Sequence, residues 1–168
     1  MNGSSSSSGI APTRFRELFR HHAGGVVVVT VDAGSGPVGF TATSFTSISL
    51  DPPLAAFAIG AHASAWPHVR TAPTAVVHLL APQDGDLATQ FATSGIDRFA
   101  PPTRWRRLPT GEPVLEHRGS WLHGRIVERR PIGDHHLVVL AVETVQLGST
   151  DTALVYHGGA YHAVGGNA

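Results

Sequence analysis

Residues 26–31 read Val-Val-Val-Val-Thr-Val, six β-branched side chains in succession. Such side chains lose rotamer freedom in a helix and pack well on a pleated surface, so this run is a short strand, buried in a sheet. The rest of the chain supplies partners in short pieces. Residues 54–59, 75–80, 120–128 and 135–145 are apolar or alternating runs bounded by turn residues, and 153–157 with 160–164 form a hairpin over Gly158-Gly159. Residues 32–37 are a turn, after which 39–49 interleave apolar residues with hydroxyls and read as one extended segment.

Helical patterning is sparse. Phe15, Leu18 and Phe19 predict a helix over 12–22, with Thr13 as its cap and Gly24-Gly25 as its stop. Leu87 and Phe91, four apart, predict a second over 83–93, and 64–69 allow one or two turns. Residues 100–113, rich in proline and arginine, read as a surface loop. Roughly seven strands with two or three short helices make a mainly β, barrel-like or α+β domain. The serine- and glycine-rich residues 1–11 read as a flexible tail and 165–168 as a disordered end, which leaves 12–164 as one domain.

Composition removes several chemistries. Of 168 residues, twelve are basic and twelve acidic, and every basic one is arginine. A neutral chain has no field to draw it to nucleic acid or an anionic membrane. Without lysine there is no phosphate-loop lysine and no Schiff base; without cysteine there is no thiolate nucleophile, iron–sulfur cluster, cysteine zinc site or disulfide. A cytoplasmic enzyme fits this. No apolar run approaches the ~18 residues of a membrane helix. Eleven histidines show no H-x-x-x-H helical pair, so no metal site is expected. Arg104, Arg106 and Arg107 around Trp105 read as a solvated or subunit-facing patch.

Gly34, Gly36 and Gly39 satisfy G-x-G-x-x-G, the dinucleotide fingerprint, but the pattern is rejected. That fingerprint needs a following helix whose N-terminus meets a pyrophosphate. Here Pro37 lies inside it and a threonine-rich extended segment follows. More informative are six hydroxyls in nine positions: Thr41, Thr43, Ser44, Thr46, Ser47 and Ser49. Hydroxyls and backbone N–H groups hold a phosphate without lysine; the same composition also describes a half-buried strand with one wet face.

The run Gly39-Phe-Thr-Ala-Thr-Ser-Phe-Thr-Ser-Ile-Ser-Leu-Asp-Pro-Pro-Leu54 resembles the signature of the flavin reductase-like, FMN-binding split-barrel family. So do Phe15-Arg16 with Gly25 to Thr30, Leu79-Leu80-Ala81, Gln83, Leu87-Ala88, Phe91-Ala92 and Asp97-Arg98-Phe99. The turn Gly133-Asp134-His135 and the hairpin residues Leu154-Val155-Tyr156, Gly159 and Tyr161 continue it in order. Three places depart from the family pattern: Ala58-Ile59-Gly60, Val77-His78, and the cysteine-free stretch from Trp121 to Arg125.

The resemblance implies a Greek-key split barrel, a homodimer, and hydride transfer from NADH or NADPH to FMN or FAD. Diffusible reduced flavin would feed a separate monooxygenase. It implies that Gly39 to Ser49, Thr43 among them, wrap the flavin, with Phe40, Thr41 and Ala42 on the ring edge and Ser44, Thr46 and Ser47 toward ribityl and phosphate. It further implies Ala58, Ile59, Gly60 and Ser64 across the phosphate site, Arg98 and Phe99 at the flavin border, and Gly133, Asp134, Tyr156 and Tyr161 around the cofactors. His135 is the candidate catalytic residue, positioning the nicotinamide, and His136 is structural. Arg125, Arg129 or Arg130 are candidates for a 2′-phosphate. A flavoprotein that keeps its FMN and reduces another acceptor, and a flavin-binding module without turnover, remain open alternatives.

Overall fold

In a computed structural model describing residues 9–165, helix α1 (Pro12–Arg20) leads into β1 (Gly24–Gly25), β2 (Val27–Asp32), β3 (Pro37–Ala42), β4 (Thr46–Leu50) and β5 (Pro53–Gly60). A single turn α2 (Trp66–Val69) precedes β6 (Thr74–Leu79), and a 3-10 turn (Pro82–Asp84) opens α3 (Gly85–Ala92). The short strands β7 (Trp105–Arg107) and β8 (Pro113–Leu115) follow, then the long pair β9 (Trp121–Ile132) and β10 (His135–Gln146), and the hairpin β11 (Ala153–His157) and β12 (Ala160–Val164).

Seven strands form one antiparallel sheet in the order β3-β2-β6-β9-β10-β5-β4. Its outermost strands, β3 and β4, are joined by residues 43–45 alone. A chain from Ala42 to Thr46 reaches at most about 14 Å, whereas seven flat strands would set the edges about 29 Å apart. The sheet therefore curls until its edges approach, and the fold is a β-barrel with a few short helices. Phe40 of β3 meets Phe57 of β5 edge-to-face across the interior at 5.8 Å. In the connection, the Ser44 hydroxyl donates to Ala58 O, and Ala58 N–H donates to Ser44 Oγ, both at 3.0 Å. A side chain thus stands in for the ladder bonds where β3 and β4 part.

Strand alternation sorts the core into two clusters. Val27, Val29 and Val31 pack with Phe57, Val77, Val138 and Leu140 inside the barrel. Val26 and Val28 face the other way, onto Leu80, Phe91, Leu115 and Leu154. A closed loop of three backbone bonds joins the pieces: Val26 N–H to Leu154 O, Leu154 N–H to Leu80 O, and Leu80 N–H to Val26 O. β11 pairs with β12 on one side and β1 on the other; its hairpin turn places Gly158 and Gly159 at φ 61° and 92°, a conformation that excludes most other residues.

Several sequence expectations change. Residues 39–49 are two strands on opposite sheet edges, because their partners are set by distant pairing. Helix α1 ends at Arg20, and Gly24-Gly25 are strand β1 rather than a stop. Thr13 does not cap α1: Ala11 precedes Pro12 in an extended conformation, and the proline at the first helical position sets the start. The 100–113 segment holds β7, which is paired with β8, and Arg107 binds Asp32 at 2.6 Å. The tail expected over 1–11 and the end expected over 165–168 fall mostly on residues 1–8 and 166–168, outside the described residues. Among the described residues no helix is long and apolar enough to cross a membrane.

Candidate active site

A cavity of about 470 Å³ opens at the barrel rim where the β3–β4 connection, the end of β5, the end of α3 and the β9–β10 turn converge. That volume suits a small-molecule or cofactor site. Gly39 makes this convergence possible: a Cβ there would come within 2.6 Å of the Phe91 ring, so the missing side chain is what lets α3 lie against β3. Thr41 Oγ1 donates to Ala88 O at 2.6 Å and fixes the same contact. Phe91 is fully buried and also forms part of the cavity wall.

Arg98 is the cationic element. Its Nη1 donates to Gly39 O at 2.7 Å and its Nε to Thr93 O at 3.0 Å, which holds the guanidinium in the lining. Burial draws its pKa below the ordinary arginine value. Among the described residues no carboxylate enters the cavity lining. A partly dehydrated guanidinium facing hydroxyls and backbone is a site for an anion such as phosphate. A Cβ on Gly60 would meet only His135 Nε2, at 3.9 Å, so the glycine leaves this part of the wall open.

His135 stands at the mouth. Its Nδ1 lies 2.8 Å from Asp134 Oδ1 in a hydrogen bond, which leaves Nε2 turned toward Gly60 on the cavity side. That hydrogen bond, a backbone bond and, more weakly, the charge of Arg16 hold the Asp134 carboxyl below its usual range. His136 points elsewhere and stacks on Trp66 at 3.7 Å.

These features stand beside an independent finding: residues 19–165 match the flavin reductase like domain. The chain belongs to the flavin reductase-like family. It is 43% identical over 160 residues to a protein named NADH:FMN oxidoreductase of Rhodococcus qingshengii, covering 93% of this chain and 83% of that one. It is 29% identical, over 83% of this chain and 74% of the other, to the flavin-dependent monooxygenase reductase subunit HsaB of Mycobacterium tuberculosis. A flavin reductase domain protein from Arthrobacter superposes with a TM-score of 0.87 at 35% identity, covering 94% of this chain and 98% of that one.

Of the residues singled out from sequence, Phe40, Thr41, Ala42, Thr43, Ser44, Ala58, Ile59, Gly60, Ser64, Arg98 and His135 share the cavity wall. Gly39 sits behind it. Thr46 and Ser47 lie on β4, outside the lining. Phe99 is buried against Phe91 and Trp105, and Tyr161 packs on the same cluster. Gly133 and Asp134 form the turn that presents His135. Tyr156 lines a neighbouring cavity. Ala65, Phe91, Ala92 and Ser94 line the site without having been singled out for it; the helical spacing of Phe91 marks it only as core. Arg125 lies 3.4 Å from Glu143, and Arg129 donates to Val69 O and Ala72 O. Both are engaged away from the cavity.

Proposed function

We propose that this protein is an NADH-dependent flavin reductase that releases reduced flavin to a separate monooxygenase. The observation that carries the reading is the rim cavity, lined by Phe40 to Ala42 and by the Arg98 guanidinium held on two carbonyls. A flavin held in this cavity would supply the redox chemistry, as acceptor of a hydride from the reduced nicotinamide. The protein's part is to hold and orient. Backbone at Phe40–Ala42 and Gly60 borders the ring; Thr43, Ser44, Ser64 and Arg98 serve the ribityl and phosphate end. His135, oriented by Asp134, offers Nε2 to the nicotinamide carboxamide and positions its ring. No side-chain base is required for a direct hydride transfer.

Of the three arginines considered for a 2′-phosphate, Arg125 and Arg129 are engaged elsewhere and Arg130 is outside the cavity lining, which favours NADH over NADPH. The NADH named for the Rhodococcus relative agrees with this. The monooxygenase partner follows the naming of the Mycobacterium relative. The reading takes 12–164 as the catalytic unit, acting in the cytoplasm as a homodimer. For the dimer, Ile48 and Leu50 on edge strand β4 are 51% and 93% exposed, a cost that a second copy relieves.

The test is aerobic nicotinamide oxidation with FMN, with FAD and with no flavin added, using NADH and then NADPH. Oxidation by NADH that depends on added flavin is expected. Flavin that binds but is bleached by neither nicotinamide removes the reductase reading and leaves a binding module.

A further inference from the structure

Val138 and Leu140 of β10 point into the barrel interior, where both are fully buried. Alternation along the strand puts His136 on the same face, at the end of that row nearest the rim cavity. Its ladder partner on β5 is Ile59, another interior residue. Trp66, the first residue of α2, packs against the same cluster and lies flat on the His136 ring, with centroids 3.7 Å apart and planes 11° apart. Every other aromatic pair among the described residues is tilted or edge-on. The two rings close this end of the barrel, and neither enters the lining of the rim cavity.

The stack joins two parts of the cavity wall. On one side Trp66 follows Gly60, Ala63, Ser64 and Ala65, which all line the cavity. Ala63 N–H donates to Gly60 O at 3.0 Å and Trp66 N–H to Ala63 O at 2.9 Å, so this segment winds in turns with the indole at its end. On the other side His136 follows His135, which leaves the opposite face of β10. The tip that carries His135 is tied to the end of β5 by the His135–Gly60 ladder pair and by Ala61 N–H donating to Asp134 O at 2.9 Å. The side chains of His135 and Asp134 are 52% and 89% exposed, so packing on those residues does not hold the catalytic ring. Ladder bonds fix register; a ring held face to face on a packed indole also fixes how the strand is rolled about its axis. Because neighbouring side chains leave opposite faces of one backbone, the roll that seats His136 also aims His135.

We propose that Trp66 and His136 are positioning residues for the nicotinamide: their stack aims His135 at the cavity mouth without touching either cofactor. The inference rests on the flavin reductase reading and adds to it the residues that orient the His135 backbone from behind.

The experiment compares wild type with His136→Leu, which removes the ring but keeps an apolar filler, and His136→Phe, which keeps a flat ring on Trp66. FMN Kd is read by flavin fluorescence, kcat/KM for NADH with FMN as acceptor, and the His135 imidazole by NMR of the flavin-free protein. His136→Leu is expected to lower kcat/KM for NADH on the order of tenfold with the FMN Kd within about twofold, and to shift the His135 resonances. His136→Phe is expected to return the resonances and to bring kcat/KM within about threefold of wild type. In a His135→Ala background, where no ring is left to aim, His136→Leu should cost less than about twofold more.

An unchanged kcat/KM with unmoved His135 resonances overturns the proposal and leaves the stack as a plug for the barrel end. Equal behaviour of the Leu and Phe variants overturns it too, since volume would then matter and the ring would not. So does a further tenfold loss in the His135→Ala background. Should His136→Leu fail to fold, Trp66→Phe carries the test with a smaller stacking surface: a loss of about threefold is expected, and no loss with unmoved resonances overturns the proposal. Failure of wild type to bind FMN or to oxidise NADH overturns the flavin reading itself, and the resonances in the flavin-free protein still decide whether the stack aims His135.

Discussion

The two faces of β2 and β6 are equally buried and differently made. Toward the barrel interior, Val27, Val29, Val31 and Val77 meet Phe57, Ile59 and Leu140 with no polar side chain between them. On the reverse face, Val28, Thr30, Val76 and His78 lie under β8 and α3, and polar bonds hold the cover in place. Thr30 Oγ1 donates to Pro113 O at 2.6 Å. His78 Nδ1 donates to Val28 O, and its Nε2 accepts from Leu115 N–H, each at 3.0 Å. Glu112 beside them is held below its ordinary pKa: burial pushes it up, but hydrogen bonds from Thr110 and Thr74 outweigh that. An apolar interior specifies volume; the reverse face specifies register, because a donor has to meet one acceptor.

The largest expected effect comes from the interior. Phe57 is fully buried between β3 and β10. Phe57→Ala removes its packing and leaves a cavity, a loss of about 3–5 kcal/mol. Denaturant unfolding should show a lower midpoint at an unchanged slope. A loss below about 1 kcal/mol would mean that the barrel collapses around the gap and that its packing is not specific.

The next effect belongs to the reverse face and depends on pH. Burial first, and then the neighbouring His117, bring the pKa of His78 down to about 3, against the raising influence of its bond to Val28 O. The geometry agrees, since a proton on Nε2 would point at the Leu115 N–H. The unfolded chain takes up this proton near pH 6.5 and the folded chain does not until about 3. Stability is therefore full above about 6.5 and falls as pH drops through that window, by up to about 1.4 kcal/mol per unit. His78→Leu leaves Val28 O and Leu115 N–H unpaired and costs about 2 kcal/mol at neutral pH. Its stability should approach that of wild type as the solution is acidified toward pH 4.5. Parallel curves for the two proteins would sink this account.

The same contrast explains what was legible in the sequence. The interior strands were readable because six β-branched residues at 26–31, and the runs at 54–59 and 135–145, announce burial without reference to any partner. The split of 39–49 into β3 and β4 was not, since nothing local tells a chain that its two halves will pair with β2 and β5 on opposite sheet edges. Nor was Gly24-Gly25, whose only strand credential is a backbone partner in β11. His78 read as a departure from a family pattern and instead ties Val28 O to Leu115 N–H, a residue 37 positions further on, with one bond to each. In the candidate site, the hydroxyl-rich run and the Gly133-Asp134-His135 turn carried a resemblance. The roles of Gly39 as a seat for Phe91 and of Arg98 as a guanidinium tied to two carbonyls depend on distance and were invisible.

The smallest effects give the sharpest comparison, because adjacent residues of nearly equal volume face opposite ways. Val29 and Thr30 are both fully buried. Val29→Thr puts a hydroxyl among apolar side chains where no partner waits, at a cost of about 2 kcal/mol. Thr30→Val deletes a hydroxyl that has a partner and leaves Pro113 O unpaired, at about 1 kcal/mol. The second loss should be local as well: amide exchange at Leu115 should accelerate, since the β7–β8 cover has lost one of its ties, while amides of β10 inside the barrel stay protected. Two variants with equal costs, or a Thr30→Val that speeds exchange throughout the sheet, would show that the faces act as one core. The predicted order, with exchange confined to the cover, requires that the barrel be held by volume and its cover by individual bonds.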